Sequence, residues 1–312
     1  MNAIAQRPPF PEVVDSSLMA HFRACPQLAF LESFEHWKPR HGSIHLVAGA
    51  AFAAGIEAAR NAFYRDGLGE SEAVGLGLRA LMAAYGDFEC PPDSAKSLER
   101  MLGALEYFFS EYRMPDDAAK PARLPGGRLG IEFSFAEPID FLHPVTGNPL
   151  IYSGRFDMLA DFAGGLYGDD EKTTSQLGAS WGKQWDLRSQ FTAYTWGAQR
   201  AGLALDGFIV RGISILKTKY DTQQAITYRP QWMIDRWYDQ LLRDLTRMVQ
   251  MWESGVWDLN LDDSCNAYGG CKFRKVCLSE PHRQATWLAQ DFQRRRWDPV
   301  TRIETVLEGP PT

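Results

Sequence analysis

Apolar positions recur every three to four residues in the first third of the chain, then switch to strand-like runs. Residues 16–31, 49–64, 71–85 and 94–112 read as helices, with Ser16 or Ser17, Ser71 and Ser94 as N-cap residues. Residues 114–127, rich in Pro, Asp and Gly, read as a connection. Segments 129–135, 151–162 and 166–172 read as strands, and Ala163-Gly164-Gly165 is a hairpin turn signal between the last two. Residues 181–202 return to helical spacing, with Gly202 at the C-cap. A buried strand over 207–216, a short pairing strand over 224–228 and a long amphipathic helix over 231–253 follow. Beyond Arg294-Arg295-Arg296 a polar, Pro-ended tail is expected to be mobile. Helices, then strands crossed by a helix, then a helix predict an α/β (α+β) chain with a small mixed β-sheet flanked by helices. No internal repeat or low-complexity block interrupts it.

Length and charge narrow the picture. A chain of 312 residues can bury a large core in one or two domains. Its 33 basic and 39 acidic residues leave a net charge of −6, so a polyanion must be met by local basic patches or by metal. No run approaches the roughly 18 apolar residues that span a membrane, and the N-terminus lacks the apolar stretch of a signal peptide. These features lead us to expect a cytoplasmic protein with reduced cysteines and no membrane partner.

The most informative polar pattern sits between the strands. Gly154-Arg155-Phe156-Asp157 is followed, after a short turn, by Asp170-Glu171-Lys172. On paired strands the two acids would approach across the ladder. Two carboxylates and a backbone carbonyl suffice for Mg2+, which keeps waters and phosphate oxygens in its remaining positions. A lysine beside them would orient the attacking water or stabilise charge on phosphorus. The simpler reading is a solvated acidic hairpin. Thr173-Thr174-Ser175 adds hydroxyls able to meet phosphate. On the next helix Gln190 and Tyr194 share a face, four residues apart, where they would touch a nucleic-acid backbone or simply pack. Trp181 and Trp185 would stack on bases or fill the core, and Lys183, Arg188, Lys217, Lys219, Lys272, Arg274, Lys275 and the arginine triplet are available to phosphates.

Three of the five cysteines follow one another at five-residue gaps, Cys265, Cys271 and Cys277. That is not the close paired spacing of common zinc motifs. A fourth thiolate is expected from Cys25, in Arg23-Ala24-Cys25-Pro26. Four thiolates suit a [4Fe–4S] cluster or a structural zinc, and would clip the N-terminal helix to the C-terminal segment. Gly269-Gly270 would let backbone wrap closely around such a group; three buried thiols are the simpler alternative. Cys90, before Pro91-Pro92, reads as an ordinary loop cysteine.

In this order, Cys25-Pro26, Gly154-Arg155-Phe156-Asp157, Asp170-Glu171-Lys172-Thr173, Gln190-x3-Tyr194 and the three late cysteines resemble the PD-(D/E)XK nuclease superfamily. The similarity is to its RecB/AddB-like branch with an iron–sulfur cluster, and to stand-alone phage or CRISPR-adaptation nucleases. It spans roughly residues 16 to 280. It implies a restriction-endonuclease-like core over 129–229, a helical region over 1–128, and a C-terminal helix, cysteine cluster and tail over 230–312, together one compact unit. By that resemblance Asp157, Asp170 and Glu132 hold Mg2+ or Mn2+, Lys172 is the catalytic lysine, and Gln190 and Tyr194 support it. Cys25, Cys265, Cys271 and Cys277 hold [4Fe–4S], with zinc as the lesser alternative. Thr173, Lys183 and Arg188 touch nucleic acid. Asp169 and Glu171 fall on the other strand face. The implied activity is hydrolysis of DNA at ends or in single strands, exonuclease before endonuclease, in recombination, repair or phage DNA metabolism, in a bacterial or phage-infected cell, with recombination or defence proteins as partners. The alternative is a non-catalytic DNA- or partner-binding protein with a purely structural cluster. One departure stands out: Ala53 occupies the place where many members carry a metal-binding His, which leaves the number of metals open.

Overall fold

The computed structural model describes residues 7–266 and 270–307. Its first elements are β1 (Val13–Asp15), α1 (Ser16–Ala24), α2 (Pro26–Ala29), β2 (Trp37–Pro39), α3 (Ile44–Arg60), α4 (Glu70–Tyr85) and α5 (Leu98–Glu111). Strands β3 (Lys120–Pro121), β4 (Ser134–Leu142), β5 (Pro149–Arg155), β6 (Met158–Phe162) and β7 (Gly165–Thr174) follow. Helices α6 (Ala179–Lys183) and α7 (Ser189–Arg200) lead to β8 (Gly207–Ile215), β9 (Tyr220–Thr227) and α8 (Gln231–Ser254). Last come α9 (Arg274–Cys277), α10 (Pro281–Asp291), β10 (Phe292–Trp297) and β11 (Glu304–Val306). The architecture is mixed α/β, with small sheets flanked by helices, as expected. Among the described residues no helix is long and apolar enough to cross a membrane.

The chain divides into two compact units. One comprises Met1–His41, Phe135–Gly154 and Trp232–Thr312; the other comprises Gly42–Ser134 and Arg155–Gln231. The first contains the sheets β1-β5-β4 and β11-β10-β2. Helix α8 buries Ile234, Trp237, Leu241, Leu245, Met248 and Met251, a stripe at helical spacing.

The second unit is built on the sheet β3-β6-β7-β8-β9. Its centre is the parallel pair β7–β8; the other pairings are antiparallel. All nine residues of β8 are buried, as in a strand covered on both faces. Ile213 and Ile215 join Phe52, Leu81, Leu105 and Phe108 of α3, α4 and α5 in one core. Gly55 and Gly77 bring α3 and α4 together; a Cβ on Gly77 would stand 2.6 Å from the Gly55 carbonyl. On the other face Phe191 of α7 stacks on Phe208 at 4.7 Å, and Phe156 on Phe208 at 5.8 Å. The hairpin β6–β7 closes on Ala163 (φ +50°) and Gly164 (φ +83°), with Phe162 opposite Gly165. Two central residues with positive φ suit the strand twist.

Several boundaries differ from expectation. The helix over 16–31 breaks at Cys25, which is extended (φ −165°, ψ 118°) as residues before proline tend to be. Its N-cap is Asp15, accepting from the Leu18 amide at 2.8 Å, rather than Ser16 or Ser17. Helix α4 is preceded by Gly69, with Ser71 inside it, and α5 is capped by Ser97 rather than Ser94. Leu129 and Ile131 make only isolated bridges; the strand starts at Ser134. Residues 151–162 form two strands broken at Phe156-Asp157, and 181–202 two helices. There the buried Arg229 guanidinium donates to the Trp185 carbonyl at 2.6 Å and fixes the break. The arginine triplet lies in β10, paired with both β2 and β11, so the segment through Val306 is a sheet rather than a loose tail.

Candidate functional site

Strand alternation sorts the residues of β7. Asp170 and Lys172 lie opposite Val210 and Gly212 of β8, Asp169 and Glu171 opposite Ile209 and Arg211. The first pair shares the α7 face and the second the α3 face. The same rule sends Trp181 of α6 against Gly212, where a Cβ would stand 2.3 Å from its ring. Trp181 and Trp185 are buried and pack edge to face at 5.4 Å, so both belong to the core.

On the α7 face Asp157 sits at the break between β5 and β6, one residue beyond the Met158–Asp169 register pair. Its Oδ2 accepts from the Glu171 amide at 3.4 Å, which brings it beside Asp170. Glu132 reaches the same place by backbone: its amide donates to the Asp157 carbonyl at 3.1 Å, and its φ of +53° is one that residues other than glycine rarely adopt. Arg155 Nε approaches Glu132 Oε2 at 2.6 Å, and Lys172 pairs with Asp170 Oδ2. Lys172 is both charge and hydrogen-bond partner of Asp170, whereas Arg155 meets Glu132 as an ion pair without hydrogen-bond alignment, which leaves Glu132 Oε2 a buried oxygen lacking an aligned donor.

This crowding changes the acids. Burial and the Asp170 charge push Asp157 up to about 6. Burial and Asp157 push Glu132 up to about 8, against the pull of Arg155. Burial raises Asp170 despite Lys172. Burial works against the Lys172 cation, but Asp170 and Asp157 outweigh it and its pKa is raised. The Tyr194 hydroxyl is hydrogen-bonded to the Gln190 side chain and the Arg155 backbone, and Asp157 and Asp170 act on it electrostatically. Arg188 is exposed, yet its charge reaches Asp170; Lys183 is exposed at the end of α6.

The α3 face holds a buried ion network. Arg60 pairs with Glu171 and, at 3.1 Å, with Asp169. Arg211 grips Asp117 with two contacts of 2.6 and 2.7 Å and lies over the Tyr112 ring at 4.3 Å. Asp169 and Glu171 are thus engaged by arginines, away from the Asp170–Lys172 face. Sequence reading missed Arg60, Arg211 and Glu57, whose charge also raises Glu132. Arg60 had left a signal: it continues the buried row Ala48, Phe52, Ile56 at four-residue spacing. Thr173 accepts from the buried Lys96 ammonium at 3.0 Å.

The four cysteines Cys25, Cys265, Cys271 and Cys277 lie within the other unit, all with free, half-buried thiols. Burial pushes Cys277 up to about 11, helped by the charges of Cys271, Cys25 and Cys265. Burial likewise raises Cys271, while a hydrogen bond from the Phe273 backbone lowers it. The Cys271 amide donates to the Cys265 carbonyl at 3.0 Å, and Asn260 Nδ2 donates to the Arg23 and Ala24 carbonyls beside Cys25. Phe273, Phe292, Leu31 and Val276 form an apolar wall against Cys271 and Cys277. Thiols whose charges reach Cys271 and Cys277, an apolar wall and a backbone N–H on the Cys271 sulfur fit a thiolate-held group. Gly269 lies outside the described residues. Cys90 is elsewhere, in the Gly42–Ser134 part of the second unit. Among the described residues no three His, Cys, Asp or Glu side chains already stand at metal-ligand spacing.

No family model matches the chain, and no curated protein matches it. Among solved structures, a candidate exonuclease from Eubacterium rectale is 12% identical, with 81% of this chain and 87% of that chain covered and a TM-score of 0.48. The protein SSO0001 is also 12% identical, with 75% and 84% covered and a TM-score of 0.28.

Proposed function

We propose that this chain is a metal-dependent nuclease that hydrolyses phosphodiester bonds in DNA. One observation carries the reading: Asp157 feels Asp170 on one side and acts on Glu132 on the other, Lys172 pairs with Asp170, and all three buried acids hold protons more tightly than usual. Repulsion among buried carboxylates is what a divalent cation relieves. Asp157, Asp170 and Glu132 would hold Mg2+ or Mn2+, which when bound would clamp the scissile phosphate and acidify a water. Lys172, freed from Asp170, would orient that water or meet charge on the phosphate. From α7, Tyr194, held by Gln190, braces the backbone at Arg155 ahead of the Asp157 turn, and its charge acts on Lys172. Arg188 and Lys183 would meet flanking phosphates; Thr173, also expected there, falls on the other face of β7 and accepts from Lys96.

The fuller form of the proposal is a PD-(D/E)XK enzyme of the RecB/AddB-like kind on a restriction-endonuclease-like core. It acts as an exonuclease on DNA ends or single strands in the cytoplasm, with recombination or defence proteins as partners. Cys25, Cys265, Cys271 and Cys277 would hold a [4Fe–4S] cluster, or a zinc. The test is cleavage of labelled single- and double-stranded DNA with Mg2+ or Mn2+. Cutting by the wild type and not by Asp170→Ala supports the proposal; equal cutting by both overturns the site.

A non-catalytic DNA-binding role on the same fold is favoured by one observation: Ala53, where the resembled family carries a metal-binding His, is an exposed alanine of α3 that offers no ligand. DNA binding without cutting under either metal would select it.

A further inference from the structure

A cation stands at each end of the row of acids. Lys172 pairs with Asp170, the Asp170 charge acts on Asp157, the Asp157 charge acts on Glu132, and Arg155 pairs with Glu132. Lys172 has a place in the proposed chemistry. Arg155 has none so far, and its contact is of a different kind.

The backbone around Arg155 is clasped. The Phe156 amide donates to the Phe133 carbonyl at 2.8 Å, the Glu132 amide donates to the Asp157 carbonyl at 3.1 Å, and the Tyr194 hydroxyl is hydrogen-bonded to the Arg155 backbone. The guanidinium is held far less. Its Nε approaches Glu132 Oε2 at 2.6 Å, out of alignment, so that oxygen lacks an aligned donor. Among the described residues no other acid pairs with Arg155, and its side chain donates no aligned hydrogen bond. Arg60, Arg211 and Arg229 of the same unit all donate aligned ones. A guanidinium carries five N–H donors and grips carboxylate or phosphate best as a fork. Here one nitrogen faces one oxygen. The Arg155 side chain is 36% exposed against 16% for Glu132, so an anion can reach it from solvent.

Glu132 cannot serve Arg155 and a metal ion equally. A guanidinium and a divalent cation on one carboxylate repel each other, unless an anion with oxygens for both comes between them. A phosphate diester has such oxygens.

We propose that Arg155 is a displaceable counter-ion: it holds Glu132 while no metal is bound, gives it up to a divalent cation, and then takes a phosphate of the nucleic-acid strand. This rests on the nuclease reading for its metal and its ligand, but it concerns binding and not the chemical step.

The test compares the full-length wild type with Arg155→Met in two titrations. Ca2+ serves as a hard, oxygen-seeking probe, and the labelled single-stranded oligonucleotide is checked to be whole afterwards. Without the oligonucleotide, Arg155→Met should bind Ca2+ about threefold more tightly, the scale of losing one partly exposed competing ion pair. With it, the gain in oligonucleotide affinity that Ca2+ brings to the wild type should shrink by about tenfold in the variant. The slope of log affinity against log salt in Ca2+ should fall by roughly 0.7, the value of one phosphate on a single strand, and stay level with the wild type in EDTA. Arg155→Lys should keep that slope and lose part of the affinity. Shifts of opposite sign for metal and oligonucleotide are not produced by a damaged fold, which would weaken both. Weaker or equal Ca2+ binding by Arg155→Met, an unchanged slope in Ca2+, or no Ca2+-induced gain in the wild type would overturn the proposal. If the opposed shifts appear but the wild type never cuts with Mg2+ or Mn2+, the nuclease reading falls and the role of Arg155 stands. If the wild type cuts and Arg155→Met shows neither shift, the reverse holds.

Discussion

The Asp157 carboxylate accepts a hydrogen bond from the Glu171 amide at 3.4 Å. This contact joins the turn after β5 to the middle of β7 and sets Asp157 beside Asp170. The backbone donor lies on the strand edge while the Glu171 side chain serves Arg60 behind the sheet. One residue thus helps place the acids by its main chain and anchors the strand by its side chain.

Replacing Asp170 separates chemistry from stability. Asp170→Asn keeps the shape and removes one buried negative charge from a crowd of three. We expect Mg2+-dependent cutting to fall at least about 100-fold, the scale of losing one preorganised electrostatic contact, while Tm is unchanged or higher. A nuclease assay with parallel calorimetry checks both; a variant that unfolds would contradict the second half.

The raised acids give a signed pH dependence. Asp157 and Glu132 bind protons more tightly in the folded chain than at their ordinary values of 3.8 and 4.5. Their contribution to stability is therefore full below those values and is lost as pH rises through about 6 and about 8. Metal-free protein should lose Tm over this window. Added Mg2+ competes with those protons, so its stabilising shift should be larger at the alkaline end. A Mg2+-induced Tm shift that is the same at both ends would count against a carboxylate metal site.

Arg60 should be structural. Arg60→Met leaves Glu171 buried without its partner and Asp169 with only Arg211 at 3.8 Å, and breaking such a buried pair typically costs about 3–5 kcal/mol. Urea unfolding should show this loss. Arg60→Lys should recover only part of it, since one ammonium cannot reproduce a planar fork between two carboxylates.

The thiol group predicts a coloured protein. Anaerobic preparations should contain iron and sulfide and absorb in the visible, and serine at Cys25, Cys265, Cys271 or Cys277 should abolish the colour, whereas Cys90→Ser should not. A colourless protein with one zinc would assign the alternative.

What could be read from the sequence followed from local period. Asp170 and Lys172 fall two apart on a strand, Gln190 and Tyr194 four apart on a helix, and α8 shows its stripe over six turns; each pattern survives in the structure because packing reinforces it. What could not be read depends on distant partners. Residues 136–142, beyond the strand expected over 129–135, carry no assignment in the sequence because polar and apolar residues alternate weakly there, yet they pair in a sheet. Residues 181–202 look continuous because the break is imposed by Arg229. Arg60 and Lys96 are ordinary letters whose meaning comes from residues more than seventy positions away.

The segmented first unit sets an order of events during synthesis. Strand β2 holds Pro39 opposite Phe292 of β10, and Cys25 belongs with Cys265, Cys271 and Cys277. Cys25 and Pro39 must wait, exposed, until Cys265 and Phe292 have emerged. The sheet that carries Asp170 is complete once Thr227 has emerged, so the carboxylates can be in place while the thiols are still unmatched. Closing so long a separation is slow and open to misassembly, which would make capture of the proposed thiolate-held group the natural final step of maturation.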